Sequence, residues 1–588
     1  MKDGGFAKTM LASAVGALIA MIVMSVLSTI AFVAMLGFLA ADEVVSIDHN
    51  SVLELDLSNT ISERKATDME KLLSDGKSIG LNSILKSIDN AAGDDRIKGI
   101  YLNLGMTYSA GWSQTQEIRM ALENFKKSGK FIYAYSEAYS QKSYFLASVA
   151  DTLVLNPSGM VEFTGIAAET MFIKDLLDKL DIKIDLIRPN NNAYKSAGEM
   201  YIMDRMSEAS REQVRTYIMS IWNEILPVMS EARNIPVDSL NSFADNLSAF
   251  WAADALNAGL VDMLGFENDI KTIMAVRTGG EKASDVELAS LKDYSASILD
   301  KESAKDKIAI IYAEGDVVMG KGYDVAVYSE NMVKSLDKAA EDDDVKAIVL
   351  RVNSPGGVVN SAEIITDAVR RAKAKKPVVV SMSNLAASAG YEISCYASKI
   401  VAMPTTLTGS IGVFATVPEV GTMLKNKIGL TFDTVNTNKN SSALSVTRPL
   451  SAQSRALMAK NVEEFYTTFC TRVAEGRGLT VEYVDSIARG RVWTGKDALK
   501  LGLVDTLGGI DMAIRIAAAE AGLQKYRVAD YSQTVSTFAQ LMELFDEEAR
   551  VKALIPEQYG KFSFYRELET YCNSTAYMQA RMPYFINF

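Results

Sequence analysis

Residues 334–348 read KSLDKAAEDDDVKAI, and residues 86–100 read KSIDNAAGDDRIKGI, 248 positions earlier. The likeness continues downstream. FIYAYSEAYSQKSYFLASVADTLVLNP at 131–157 lies opposite VVVSMSNLAASAGYEISCYASKIVAMP at 378–404, and both copies then reach a glycine in step, Gly165 and Gly412. Further on, WAADALNAGLVD at 251–262 is echoed by WTGKDALKLGLVD at 493–505. A repeat this long marks one structural unit present twice, joined by a polar linker around 277–306. Each copy opens with an apolar strand, VLELDL at 52–57 and KIAIIYA at 307–313. A helical stretch follows (LNSILKSIDNAAG; NMVKSLDKAA), then a second strand, IKGIYLNL at 97–104 and VKAIVLRV at 345–352. Alternating strands and helices predict an α/β fold, mostly parallel sheets covered by helices on their faces.

Composition narrows the function. At 588 residues the chain exceeds one ordinary domain. Its 48% hydrophobic and 23% charged content is that of a globular protein. The net charge of −12 gives no general attraction to nucleic acid, and the basic run RRAKAKK at 370–376 reads as a solvated helix end. Cys395, Cys470 and Cys572 have no metal-binding spacing and form no disulfide framework. With a single histidine, a zinc site is unsupported, and no metal or cofactor is expected. Lys2 and Lys8 precede an uncharged segment at 9–41, followed by Asp42, Glu43 and Asp48. About 20 apolar residues suffice to cross a bilayer, so this segment predicts an uncleaved single-pass anchor. Ala40 and Ala41 leave cleavage open. The basic flank places the N-terminus in the cytoplasm and the remainder across the membrane.

The copies differ where chemistry is expected. The second carries NSPGG at 353–357, whereas the first has GMTYSAG at 105–111. Gly356 and Gly357 precede the helical stretch SAEIITDAVRRA. Their N–H groups suit a developing oxyanion, and a simple tight turn would need the same glycines. Ser388 sits in NLAASAGYEIS at 384–394, at a strand-to-helix turn, and Gln141 stands opposite it in the first copy. The serine suits a nucleophile, with the Ala389 N–H as a second oxyanion donor, or it serves only close packing. His49, the sole histidine, lies eight residues past the apolar segment, which argues against a Ser-His-Asp triad. The base left to a serine is a lysine whose pKa burial has lowered. Composition does not choose among lysines. Lys195, in the polar loop NNNAYKSAGE at 190–199, stands out, and a solvated surface lysine is the plain alternative.

NSPGG, ASAGY at 387–391, TGSIGVF at 408–414 and NNNAYKSAGE, in a duplicated unit behind one apolar anchor, together resemble the signal peptide peptidase A family. The likeness is to its long tandem form in peptidase family S49, and it covers most of residues 50–525. It implies two tandem Clp protease/crotonase-like domains of repeated ββα units. It implies Ser388 as nucleophile, Lys195 as general base delivered by the first unit, and Ser410 orienting that lysine. Gly357 and Ala389, with Gly356 beside them, become the oxyanion donors. Ala389 stands where the family often has glycine. The implied substrates are remnant signal peptides and other apolar peptides. The implied assembly is a bowl-shaped homo-oligomer, a tetramer, in the inner membrane with its catalytic part in the periplasm. The expected division is an N-terminus and anchor at 1–41, a lysine-supplying domain at 42–280 and a linker at 281–305. A serine-supplying domain at 306–525 and an extension at 526–588 complete it. That aromatic extension, with KFSFYRELETYC and ARMPYFINF, is expected to be a partly ordered tail. Docking in the substrate groove or on a neighbouring subunit is its alternative. Two other functions fit the fold: a non-catalytic tethered scaffold, and a crotonase-like acyl-thioester enzyme binding coenzyme A.

Overall fold

The computed structural model describes residues 46–533 except 59, 65–77, 106, 299–303 and 323, together with a strand at 578–581 and scattered positions between 16 and 28. The anchor expected at 9–41 falls outside the described residues apart from those positions, as do Cys572 and most of the tail. Among the described residues, no helix is long and apolar enough to cross a membrane.

The first copy supplies strands β1 (Ser51–Asp56), β2 (Thr60–Ser62), β3 (Ser78–Gly80), β4 (Ile97–Asn103), β5 (Phe131–Tyr139), β6 (Thr152–Val161), β7 (Lys183–Ile187), β8 (Met263–Leu264) and β9 (Leu288–Ser290). The second supplies β10 (Lys307–Glu314), β11 (Asp316–Val318), β12 (Ala326–Tyr328), β13 (Val345–Ser354), β14 (Gly356–Val358), β15 (Val378–Ala387), β16 (Lys399–Ala402), β17 (Leu407–Gly409), β18 (Phe414–Glu419), β19 (Val492–Thr494), β20 (Thr506–Leu507) and β21 (Arg527–Asp530). The last described strand is β22 (Met578–Arg581).

The duplication is visible in strand order. One sheet runs β8-β6-β5-β4-β1-β9. The other runs β19-β17-β15-β13-β10-β21, with β16 paired to β15 and to β20. In each, a late strand returns to lie parallel to the opening one, β9 on β1 and β21 on β10. The central strands are buried along nearly their whole length, as both-face-covered parallel strands must be. Their cover helices are amphipathic. Leu81–Gly93 turns Leu81, Ile84, Leu85, Ile88 and Ala91 inward at helical spacing, and Ser329–Glu341 does so with Met332, Leu336 and Ala339.

The copies are fused rather than merely linked. One apolar cluster contains Leu53, Ile100 and Leu153 from the first and Ile308, Val349 and Val379 from the second. A third sheet, β12-β11-β14-β22-β18-β7, crosses between them. In it β7 of the first copy pairs antiparallel with β18 of the second, from Glu419↔Lys183 to Ala415↔Ile187. This ladder carries the chain after β7, the NNNAYKSAGE loop, toward the second copy. Within the aromatic extension, β22 docks between β14 and β18, antiparallel to both.

Candidate active site

Strand β15 ends at Ala387 and the helix Ala389–Glu392 starts two residues on, so Ser388 is the whole turn. Its backbone sits at φ 58, ψ −118, a region that costs a non-glycine residue roughly 1–3 kcal/mol. The surroundings hold it there. Its N–H donates to the Gly409 carbonyl at 2.8 Å, and its own carbonyl accepts from Tyr391 and Glu392 at 2.9 Å each. Gly390 lets the turn close, since a Cβ there would lie 2.8 Å from the Ser354 carbonyl oxygen. The result aims a hydroxyl off the end of a rigid strand, the geometry of a nucleophile elbow.

Lys195 arrives from the other copy. Its side chain is fully buried, and burial alone pushes its amine well below the usual lysine value. Nζ lies 2.7 Å from Ser388 Oγ, 3.0 Å from Ser410 Oγ and 3.0 Å from the Ser410 carbonyl oxygen. Ser410 is also buried and left-handed, with φ 49, which turns both its oxygens onto the same amine. The three side chains named from sequence therefore meet at one point, though the first two are 193 residues apart.

The residues whose N–H groups were expected to hold an oxyanion lie on adjacent elements. Gly357 is in β14, where a Cβ would lie 2.1 Å from the Val317 carbonyl oxygen, so no larger residue fits. Ala389 opens its helix, where an N–H has no partner within the helix. That helix packs on β14. The Gly356 N–H differs: it is turned to Ser354 Oγ at 3.2 Å. His49 lies exposed in a turn ahead of β1.

Sequence reasoning missed the supports of this centre. Arg188 donates to the Lys195 carbonyl and pairs with Glu199, both at 3.2 Å, steadying the loop from below. The pairing of β13 with β15 breaks between Val352 and Ser354. Asn353 fills that break, its Oδ1 accepting the Leu385 N–H at 3.2 Å and its Nδ2 donating to Glu63 at 3.1 Å. Gln213 and residues 489–492 lie beside the lysine loop. One signal was readable: the second copy has ARGRVW at 488–493 where the first has NLSAFW at 246–251.

The profile of Peptidase family S49 matches residues 124–279 and again 370–524, and that of Clp protease matches 300–408. The chain belongs to peptidase family S49. It is a serine protease with tandem S49 domains in a Clp protease-like α/β fold. It is 37% identical over 485 residues to Protease 4 of Salmonella typhi, a match covering 81% of this chain and 77% of that protein. It is 31% identical over 481 residues to Serine protease SPPA, chloroplastic, of Arabidopsis thaliana, covering 80% and 69%. It is 33% identical over 211 residues to Putative signal peptide peptidase SppA of Enterococcus faecium, covering 36% and 61%.

Proposed function

We propose that this S49 protease uses Ser388 as nucleophile and Lys195 as general base, and that it degrades remnant signal peptides and other apolar peptides at a membrane. The 2.7 Å approach of Lys195 Nζ to Ser388 Oγ in a fully buried setting carries the reading.

A neutral amine has one lone pair and two N–H groups. The two N–H groups donate to the Ser410 carbonyl and hydroxyl oxygens, which aims the lone pair at the Ser388 O–H. As Ser388 Oγ attacks the scissile carbonyl carbon, its proton passes to Lys195. The carbonyl oxygen becomes an oxyanion held by the N–H groups of Gly357 and Ala389. Collapse breaks the C–N bond, and the Lys195 ammonium protonates the departing amine. Water then attacks the acyl-serine, giving its proton to the regenerated amine, and Ser388 recovers its hydrogen as the acid product leaves. The first copy thus has a use as the source of the base, while Ser140, which begins its matching turn where Gln141 was expected, accepts the Ser143 N–H at 3.3 Å as a helix cap.

The slot beside Ser388 supports a peptide substrate. β14 and β18 each present a backbone edge to the gap between them, and a segment of this chain already lies there as an extended strand. A substrate strand would add to the same edges, main chain giving affinity and side chains specificity. Signal peptides as the substrate follow from the name of the E. faecium relative. The uncharged segment at 9–41 suits a single-pass anchor in the inner membrane, holding the catalytic part on the periplasmic side near such peptides. A homo-oligomer, a tetramer, completes the reading.

The test is hydrolysis of apolar peptides by the full chain and its Ser388→Ala and Lys195→Ala variants. Both substitutions are expected to lower kcat by roughly 10⁴-fold or more with the fold intact. Full activity in Lys195→Ala overturns the assigned base.

A further inference from the structure

The base stands on one copy and the nucleophile on the other, yet their separation must hold to about 0.5 Å for proton transfer. The ladder between copies ends at Ile187↔Ala415, eight residues short of Lys195, and is too distant to set that spacing. A second connection lies closer.

Gln213 is on the helix Glu208–Arg233 of the first copy and is 1% exposed. Its Nε2 donates to the Tyr194 carbonyl at 2.8 Å and to Ser196 Oγ at 3.0 Å, gripping the residues on either side of Lys195. Its Oε1 accepts the Val492 N–H of the second copy at 3.2 Å. Val492 begins β19, which pairs with β17 at Gly409↔Val492, next to Ser410. The residues just before it face both partners. The Arg489 carbonyl accepts the Tyr194 N–H at 3.1 Å, and the Arg491 carbonyl accepts the Ser410 N–H at 2.7 Å. The Gly490 N–H donates to the Ile411 carbonyl at 2.8 Å. Gly490 has φ +80, and a Cβ on it would lie 2.5 Å from both the Cβ and the N of Lys195. The charges nearby are already matched: Arg491 with Glu212 at 3.0 Å, Arg489 with Asp485 at 3.1 Å and Arg188 with Glu199 at 3.2 Å.

We infer that the Gln213 amide and the backbone of residues 489–492 form a spacer that fixes Lys195 at proton-transfer distance from Ser388 and Ser410, with Gln213 as the positioning residue. One short stretch of backbone touches the base loop and the Ser410 loop at once, so movement of either is referred to the same atoms. Gly490 is the contact surface, and its missing side chain is what lets the lysine backbone approach. The inference rests on the Ser388–Lys195 reading above.

The experiment compares the full chain with Gln213→Met, which keeps the volume and removes all three hydrogen bonds, and with Gly490→Ala, which pushes on the lysine backbone. Peptide hydrolysis is followed from pH 5 to 10 together with thermal melting. A displacement near 1 Å is expected to lower kcat about 100-fold while KM changes little. The midpoint of the rise of kcat/KM with pH should move up toward the ordinary lysine value as the amine gains solvent. Should Gln213→Met not fold, Gly490→Ala carries the test with the same expected signature. Wild-type kcat and midpoint in the folded variants overturn the spacer. A lower kcat with an unmoved midpoint also overturns it, since general destabilisation does that. These results differ from failure of the dyad itself, which is full activity in Lys195→Ala.

Discussion

At the scale of single residues, the centre combines a strained serine with a desolvated amine, and the second has a thermodynamic consequence. Lys195 holds its proton less readily in the folded chain than in the unfolded one because of burial. Between its folded value and about 10.5, the unfolded chain binds the extra proton, so native stability rises with pH across that window. Lys195→Met removes the effect. The variant is expected to gain stability over wild type at pH 7, with the gain shrinking toward pH 10, read from urea midpoints at the two pH values. A gain that stays constant with pH contradicts a depressed lysine. Ser388 and Lys195 could be named from the sequence because ASAGY and NNNAYKSAGE resemble a known family's motifs, while composition alone left packing and a solvated surface lysine as alternatives. Gln213 was not, since a glutamine on an amphipathic helix gives no local sign that its amide bridges two copies.

At the scale of elements, local pattern carried far. The helix read as LNSILKSIDNAAG occupies Leu81–Gly93, and the strand read at 345–352 extends only two residues further, to Ser354. The pairing of β7 with β18 was illegible, because a period-two or period-3.6 pattern shows which face is buried and not which distant partner covers it. The tail was expected to be only partly ordered, with docking as the alternative, and for the same reason the partners of β22 could not be read; the structure pairs this piece with β14 and β18. If peptides bind as an added strand between β14 and β18, β22 competes with them. Removing residues 575–588 is then expected to lower KM for extended peptides with kcat nearly unchanged. An unaltered KM contradicts shared use of those edges.

At the scale of the whole molecule, the copies are locked by a buried charge cluster. Arg351 on β13, fully buried, pairs with Glu63 at 2.8 Å and Glu117 at 2.6 Å, both from the first copy. Glu117 also accepts the Ile510 N–H, and Glu63 accepts from Gln114, Asn353 and Ser383. Removing the guanidinium leaves two carboxylates buried without a counter-charge, so Arg351→Met is expected to destabilise the fold by about 3–5 kcal/mol, measured by urea unfolding. A change under about 1 kcal/mol would show that water reaches the carboxylates. Nothing in VKAIVLRV marks that arginine as interior, because its partners lie 288 and 234 residues away. The duplication itself was legible, and with it the two sheets. Their fusion into one core depended on side chains that only the folded chain brings together.

The most direct test of catalysis by a neutral lysine is the pH dependence of kcat/KM for peptide hydrolysis from pH 5 to 10, in the full chain and in Lys195→Ala. The expected result is a rise with a midpoint well below 10.5 in the wild type and near-complete loss of activity in the variant. A flat wild-type profile across pH 6 to 9, or a variant that retains activity with the same profile, would contradict it.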